Sequence, residues 1–181
     1  DLLEYRLHGA DKTREKAIEK VIFEGQNIVV QVIKDPVGTK GARLSTQISI
    51  AGRMLVYLPQ EKHIGVSQRI ENEAEREALR ARVTELVSAD EKGGFIVRTM
   101  AEGASIEALA NDISYLHKLW ADIAHKSKTS PAPSVIYQEL SLGVRVLRDF
   151  INIETTEILV DSRENFQKLT AFAEEYMPAV L

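Results

Sequence analysis

The fold is set by GGFIVRTMAEGASIEALANDISYLHKLWADIAH, residues 93–125, which couples a short strand to a long helix. Residues 95–97 have the apolar, β-branched composition of a strand, and Arg98-Thr99 stands where that strand ends. Apolar residues then recur every three or four positions, which predicts a helix over about 104–125 with Ser105 as its N-cap. The apolar stripe of this helix consists of Ile106, Leu109, Ile113, Leu116, Trp120 and Ile123.

Upstream of this stretch, short apolar segments alternate with turn residues. The segments 27–33, 44–50 and 54–58 predict three strands, because they are rich in β-branched residues or alternate apolar with polar positions. Asp35-Pro36-Val37-Gly38 predicts a hairpin turn, and residues 73–87 carry alanines and a leucine at helical spacing. The mixed charges of residues 1–20 predict a solvated loop.

Downstream of the long helix, the pattern changes. Residues 126–133 contain serine, threonine and two prolines, which predicts a linker and a domain boundary. Beyond it the sequence predicts a strand at 135–137, a helix at 140–150, a strand at 157–160 and a helix at 163–176. This alternation is typical of an α/β layer, with too few strands to close a sheet. We therefore expect partner strands outside the segment and a cut at both ends.

Composition narrows the classes of function. The 181 residues are 44% hydrophobic and 28% charged, which is typical of a globular protein, and there is no cysteine for a disulfide, a thiolate zinc site or a nucleophile. Four scattered histidines make a metal cage improbable, and a net charge of −4 argues against a non-specific nucleic-acid binder. No apolar run is long enough to span a membrane, and we expect a cytoplasmic protein.

Five motifs in register along the chain carry a family resemblance. They are EGQNIVVQV at 24–32, GTKGARL at 38–44, GVSQRIE at 65–71, GFIVRTMAEG at 94–103 and RVLRDF at 145–150. Together they resemble the amino-terminal half of the ribonuclease E/G family, over nearly the whole chain from about Val21 onward. The resemblance implies an endoribonuclease that cuts single-stranded RNA and grips its 5′-monophosphate end.

The same resemblance implies a mixed α/β fragment in three parts. Residues 1–50 would form part of an S1-type, OB-like barrel, residues 51–130 an inserted 5′-sensor subdomain, and residues 131–181 part of an RNase H-like α/β layer. In family members, the aspartates that bind catalytic Mg²⁺ lie later in the sequence, as do the cysteines of an inter-subunit Zn²⁺ link. The segment alone is therefore expected to have no nuclease activity, no catalytic residue and no metal of its own. A homo-oligomer is expected, and a structural or oligomerisation module without RNA sensing is the alternative.

Candidate RNA-binding residues follow from the motifs. The resemblance assigns the 5′-phosphate to the backbone of Gly52 and Val56 and to the side chains of Arg98 and Thr99, and the RNA backbone to Lys40 and Arg69. An arginine fork, a hydroxyl and backbone N–H groups suit a terminal phosphate. Without the family resemblance, each of these residues has an ordinary structural explanation. Gly52 would be a turn glycine, Val56 a core residue and Arg98-Thr99 a solvated strand end. Lys40 would be a hairpin lysine and Arg69 a solvated arginine. Some relatives carry two adjacent arginines where this chain has Gln68-Arg69, so RNA sensing could also have been lost.

Other polar residues are better explained by structural roles, such as helix capping, than by catalytic or metal-binding roles. Asp161-Ser162 precedes a helix and serves as its cap, and no second acid lies near enough in sequence to share a metal. Glutamates at the start of the 73–87 helix suit the helix dipole. Trp120 is predicted to be in the core and His117 at its boundary.

Overall fold

The computed structural model describes residues 22–151, 154–178 and 181, so the loop predicted at residues 1–20 lies outside the described residues. The described residues form six strands: β1 (Gln31–Lys34), β2 (Arg43–Ser45), β3 (Ile50–Ala51), β4 (Leu55–Leu58), β5 (Ile64–Val66) and β6 (Gly94–Val97). The same ranges contain four α-helices: α1 (Glu73–Leu86), α2 (Ile106–Thr129), α3 (Leu142–Phe150) and α4 (Arg163–Tyr176). The chain is therefore a mixed α+β structure, as predicted.

The strands form two separate sheets. β1 and β2 make an antiparallel pair that places Gln31 opposite Ser45, with an irregularity between Val32 and Lys34. The larger sheet has the order β3-β4-β6-β5, in which β5 runs parallel to β6 while the other pairs are antiparallel. The parallel pair arises because the whole of α1 connects β5 to β6, as parallel neighbours require.

The strand predicted at 44–50 is wrong as a single element. Ser45 ends β2, and its Oγ accepts a hydrogen bond from the Gln47 backbone N–H at 3.1 Å, which favours a bend. The chain then enters the other sheet at Ile50. The Gln31 side chain joins the two sheets, since its amide accepts from the Ser49 N–H at 2.8 Å and donates to the Ser49 carbonyl at 3.0 Å. The described strands do not close into a barrel.

The strands predicted at 135–137 and 157–160 are also wrong, because the described part of the chain offers neither segment a strand to pair with. The α/β layer expected at 131–181 is therefore seen as two helices, α3 and α4, with irregular segments between and before them. The long helix α2 extends through Thr129, into the predicted linker. It ends there because Ser130 precedes Pro131, and a residue before proline disfavours helical backbone.

The core lies between the larger sheet and helices α1 and α2. Leu55, Phe95 and Val97 from the sheet and Leu109 and Leu116 from α2 are completely buried. The predicted Ser105 cap is confirmed, since its Oγ accepts from the Ala108 N–H at 3.1 Å. Trp120, which was predicted in the core, is only partly buried against it. His117 lies at the core boundary, as predicted.

Among the described residues, no helix is both long enough and apolar enough to cross a bilayer.

Candidate nucleic-acid interface

The parallel pairing of β5 and β6 brings two segments that carry candidate RNA-binding residues to one edge of the sheet. Both strands end at this edge, and the Ser67 N–H donates to the Val97 carbonyl at 2.8 Å. The loop that carries Gln68 and Arg69 therefore leaves the sheet beside the turn that carries Arg98 and Thr99. The sequence pattern did not predict β5, because this strand has only three residues and one of them is a glycine.

Arg98 is anchored to the hairpin loop between β3 and β4, residues 52–54. Its backbone N–H donates to the Met54 carbonyl at 2.8 Å, while Nη1 donates to the Gly52 carbonyl and, at 3.1 Å, to the Arg53 carbonyl. Within the described ranges, no group accepts a hydrogen bond from Nη2 or Nε of Arg98. The guanidinium is thus held by one nitrogen and keeps three N–H donors for an anion.

Gly52 is buried in this loop with both of its backbone polar groups engaged. Its N–H donates to the Leu55 carbonyl at 2.8 Å, and its carbonyl accepts from Arg98. A Cβ added at Gly52 would lie 2.6 Å from Oδ2 and 2.7 Å from Oδ1 of Asp112. Glycine is therefore required here because the carboxylate of Asp112 packs against its Cα.

Asp112, on α2, has no predicted role, yet it organises this loop. Its carboxylate is 8% exposed and accepts the backbone N–H groups of Arg53, Met54 and Leu55 at 3.0, 2.9 and 2.8 Å. Burial raises the pKa of Asp112, and these three donors and the charge of Arg148 only partly oppose that shift. One signal could have revealed it: an acid between Leu109 and Ile113 interrupts the apolar stripe of α2.

Arg148, on α3, holds the residue that precedes the loop. Its Nη1 donates to the Ala51 carbonyl at 2.8 Å, and its Nε and Nη2 donate to the two carboxylate oxygens of Asp149 at 2.7 and 3.1 Å. Burial opposes the charge of Arg148, but the Asp149 carboxylate more than offsets it and holds the Arg148 pKa above its usual range. Arg53 adds a further link, because its Nη1 donates to the Ile151 carbonyl at 3.0 Å.

Thr99 and Val56 flank this arrangement. Thr99 is exposed and begins a short 3-10 turn that ends at Ala101, and within the described ranges its hydroxyl has no hydrogen-bond partner. Val56 lies in the interior strand β4, opposite Ala51 on one side and Ile96 on the other. The structure thus brings Gly52, Arg98 and Thr99 to one edge, with Val56 in the strand that leads away from it.

Arg69 has a different environment, an open depression of about 520 Å³ beside the start of α1. Three carboxylates, those of Glu71, Glu75 and Glu102, line the depression together with Arg69, and Asn72 caps the helix at its rim. Arg69 is exposed. The surrounding negative charge lowers the attraction that this cation can exert on a phosphate.

Lys40 lies on the smaller sheet, in the turn between β1 and β2. Its backbone exchanges two hydrogen bonds of 3.1 Å with Val37, and Gly38 adopts a positive φ of 58° that favours glycine. The Lys40 side chain is exposed at the tip of the turn. Lys40 therefore lies on the smaller sheet, whereas Arg98 and Thr99 lie at the edge of the larger sheet where β5 and β6 end.

The described ranges contain no group of three or more histidine or acidic side chains that could hold a metal ion.

The sequence model of the Ribonuclease E/G family matches residues 49–181, so the chain belongs to this family. It is 47% identical over 161 residues to ribonuclease G of Escherichia coli strain K12, which covers 89% of this chain and 32% of that protein. Ribonuclease G of Haemophilus influenzae is also 47% identical, over 90% of this chain and 33% of its own length. Ribonuclease E of Nostoc is 33% identical over 91% of this chain and 24% of its own length. The chain thus spans about a third of the length of its ribonuclease G relatives.

Proposed function

We propose that this chain is the segment of a single-strand-specific endoribonuclease that binds RNA and recognises a 5′-monophosphate end. The proposal rests on the guanidinium of Arg98, which is fixed because Nη1 donates to the carbonyls of the 52–54 loop. Its other three N–H donors remain available beside the exposed Thr99 hydroxyl. Family membership supplies the substrate class, since its members here are named as ribonucleases.

The chemistry of a terminal phosphate suits this arrangement. Such a group carries about −1.5 to −2 charges near neutral pH and offers three strong acceptor oxygens. A planar guanidinium can bind two of these oxygens at once, and its position is already fixed before binding, so little side-chain entropy is lost. A 5′-hydroxyl end carries neither the charge nor the oxygens, so the site should discriminate between the two ends.

The other candidate residues have lesser parts in the proposal. Lys40, at an exposed turn, contributes a sequence-independent contact to the RNA backbone. Arg69 contributes less than an isolated arginine, because Glu71, Glu75 and Glu102 share its depression. Val56 contributes through its position in β4 rather than through its side chain.

The test compares two short, labelled single-stranded RNAs that differ only in a 5′-monophosphate or a 5′-hydroxyl. Fluorescence anisotropy gives the Kd of each RNA for the wild type, for Arg98→Ala and for the control Arg80→Ala. Arg80 lies on α1 and pairs with Glu77, so its removal changes the net charge equally but away from the site. We expect the wild type and Arg80→Ala to prefer the monophosphate and Arg98→Ala to lose that preference.

The preference should be about tenfold or more, the effect of one or two hydrogen bonds between charged groups. Equal binding of both RNAs by the wild type would refute 5′-end recognition by this chain. Equal losses in Arg98→Ala and Arg80→Ala would show that only overall charge matters.

A structural or assembly module is the second candidate, and exposed apolar side chains favour it. Leu142 and Phe150 on α3 are 72% and 70% exposed, and Val32 and Ile33 on β1 are 52% and 50% exposed. Exposed apolar surface and unpaired strand edges favour association. Sedimentation velocity over a wide concentration range tests this candidate, because a strictly monomeric profile would exclude self-assembly of the chain.

The hydrolytic chemistry of the family is proposed to reside in other parts of the full-length protein, where Mg²⁺ and Zn²⁺ are expected. Cytoplasmic RNA is the expected substrate, and we propose that the chain alone does not cleave it. Cleavage of 5′-monophosphorylated RNA by purified chain above a buffer blank would contradict this.

A further inference from the structure

Every backbone N–H from Gly52 to Leu55 has a partner. The Gly52 N–H closes the turn on the Leu55 carbonyl, and the N–H groups of Arg53, Met54 and Leu55 all donate to Asp112. These four bonds restrict the backbone freedom of the segment. The acceptor of three of these bonds is a side chain on α2, far away in sequence.

Peptide geometry links Asp112 to Arg98. In a trans peptide the N–H and the preceding carbonyl share one plane and point in opposite directions. The Arg53 N–H shares its plane with the Gly52 carbonyl, and the Met54 N–H shares its plane with the Arg53 carbonyl. Asp112 accepts these two N–H groups, and Arg98 donates to these two carbonyls. The carboxylate and the guanidinium therefore hold the same two peptide planes from opposite sides.

We infer that Asp112 is a positioning residue for the 5′-phosphate site: it acts through the peptide planes of Gly52 and Arg53 to fix the guanidinium of Arg98. The inference rests on the proposed function. A negative charge on the N–H side polarises each peptide and strengthens its carbonyl as an acceptor for Arg98. Asp112 itself is buried behind the loop and does not touch the RNA.

Arg148 makes the position of the loop, and with it that of Arg98, depend on α3. It holds the Ala51 carbonyl, one residue before the loop, and its charge lies near enough to stabilise the Asp112 carboxylate. The Arg98 site at the end of β6 is thus held in place by three other parts of the chain: the β3–β4 hairpin, α2 and α3.

The test uses Asp112→Asn and Asp112→Ala in the 181-residue chain. Asparagine keeps the shape of aspartate but replaces one acceptor oxygen with an NH2 group, which opposes a backbone donor instead of accepting from it. The matched control is Asp122→Asn, which neutralises a second carboxylate of α2, a half-buried one that accepts from the Tyr176 hydroxyl at 3.0 Å. Circular dichroism establishes the temperature range in which each variant is folded.

The readout is the ratio of the Kd for 5′-hydroxyl RNA to the Kd for 5′-monophosphate RNA. We expect both Asp112 variants to lower this ratio about five- to tenfold, comparable with losing one hydrogen bond to a charged group, while the Kd for 5′-hydroxyl RNA stays unchanged. Asp122→Asn should keep the wild-type ratio. A general loss of structure would instead weaken binding of both RNAs, and an unchanged ratio in folded Asp112→Asn would overturn the inference.

A second readout separates this inference from the proposed function. The Nε–H resonance of Arg98 in an NMR spectrum reports whether the guanidinium is held, with or without RNA. If the wild type shows no preference for the monophosphate, the proposed function fails, and broadening of this resonance in Asp112→Asn but not in Asp122→Asn would still support positioning of Arg98. If the resonance is the same in all three proteins, Asp112 does not position Arg98.

Discussion

Replacing Gly52 with alanine should destabilise the protein through the carboxylate of Asp112. The added Cβ would lie 2.6 Å from Oδ2, whereas an ordinary contact begins near 3.4 Å, so the carboxylate must retreat by about 0.8 Å. One or two of its hydrogen bonds to the loop, 2.8 to 3.0 Å long, would then stretch beyond about 3.5 Å and be lost. The loss of one or two such bonds to a charged acceptor costs about 3 kcal/mol. Alanine also restricts the unfolded chain, which offsets about 0.5 to 1 kcal/mol and leaves a net loss of about 2 to 2.5 kcal/mol.

Urea unfolding, followed by the fluorescence of the single tryptophan, Trp120, measures this loss. The control is Gly41→Ala, because a Cβ at Gly41 meets nothing within 4 Å and its φ is not positive; its free energy of unfolding should be unchanged or slightly higher. In an Asp112→Ala background the clash disappears, so Gly52→Ala should then cost about 0.5 kcal/mol or less. An equal cost of Gly52→Ala in both backgrounds would refute the proposed cause.

Two further predictions concern the core and its polar edge. Phe95 is completely buried, so Phe95→Ala should lower the free energy of unfolding by about 3 to 5 kcal/mol, whereas Phe166→Ala, at a residue 53% exposed, should change it by less than about 0.5 kcal/mol. Similar urea midpoints for these two variants would contradict the assigned core. Burial favours the neutral form of Glu91, but hydrogen bonds from the Gly93 N–H and the Tyr57 hydroxyl, with the charge of His117, hold the Glu91 pKa below its usual 4.5. A lowered folded pKa stabilises the protein above the unfolded pKa and ceases to do so as pH falls through the folded value. The wild type should therefore lose stability below about pH 4.5 more steeply than Glu91→Gln in urea titrations at a series of pH values, and parallel pH profiles would contradict this role.

The local sequence pattern was sufficient to predict those helices and strands whose signals lie within the element itself. The apolar stripe from Ile106 to Ile123 predicted α2, and Ser162 predicted the start of α4, because a helix repeat and a cap are both encoded within a few residues. The β4 and β6 strands were likewise predicted to within one residue at each end.

The missed features depend on partners that are distant along the chain. The segment 44–50 alternates like one strand, but the Ser45 hydroxyl bends it and the two halves join different sheets. The segments 135–137 and 157–160 have strand composition, yet a strand exists only where another pairs with it. Composition alone cannot supply that partner.

The same limit applies to the candidate site. The motif GFIVRTMAEG identified Arg98 and Thr99 as candidates, and the structure adds how Arg98 is held. Asp112 interrupts the apolar stripe of α2, but its partners could not be predicted, because its three donors lie 57 to 59 positions away and are main-chain groups that residue types do not reveal.

These separations also determine when the Arg98 edge can form as the chain is synthesised. Residues 53–55 are bonded to Asp112 across 57 to 59 residues, and Ala51 is bonded to Arg148 across 97. Contacts between distant residues form only after the intervening chain has been made and its loop closed. A ribosome that stalls before α3 therefore holds a chain whose strands can pair but whose Ala51 carbonyl lacks its bond to Arg148. Under the proposed function, the newly made chain would acquire its phosphate site later than the strands that surround it.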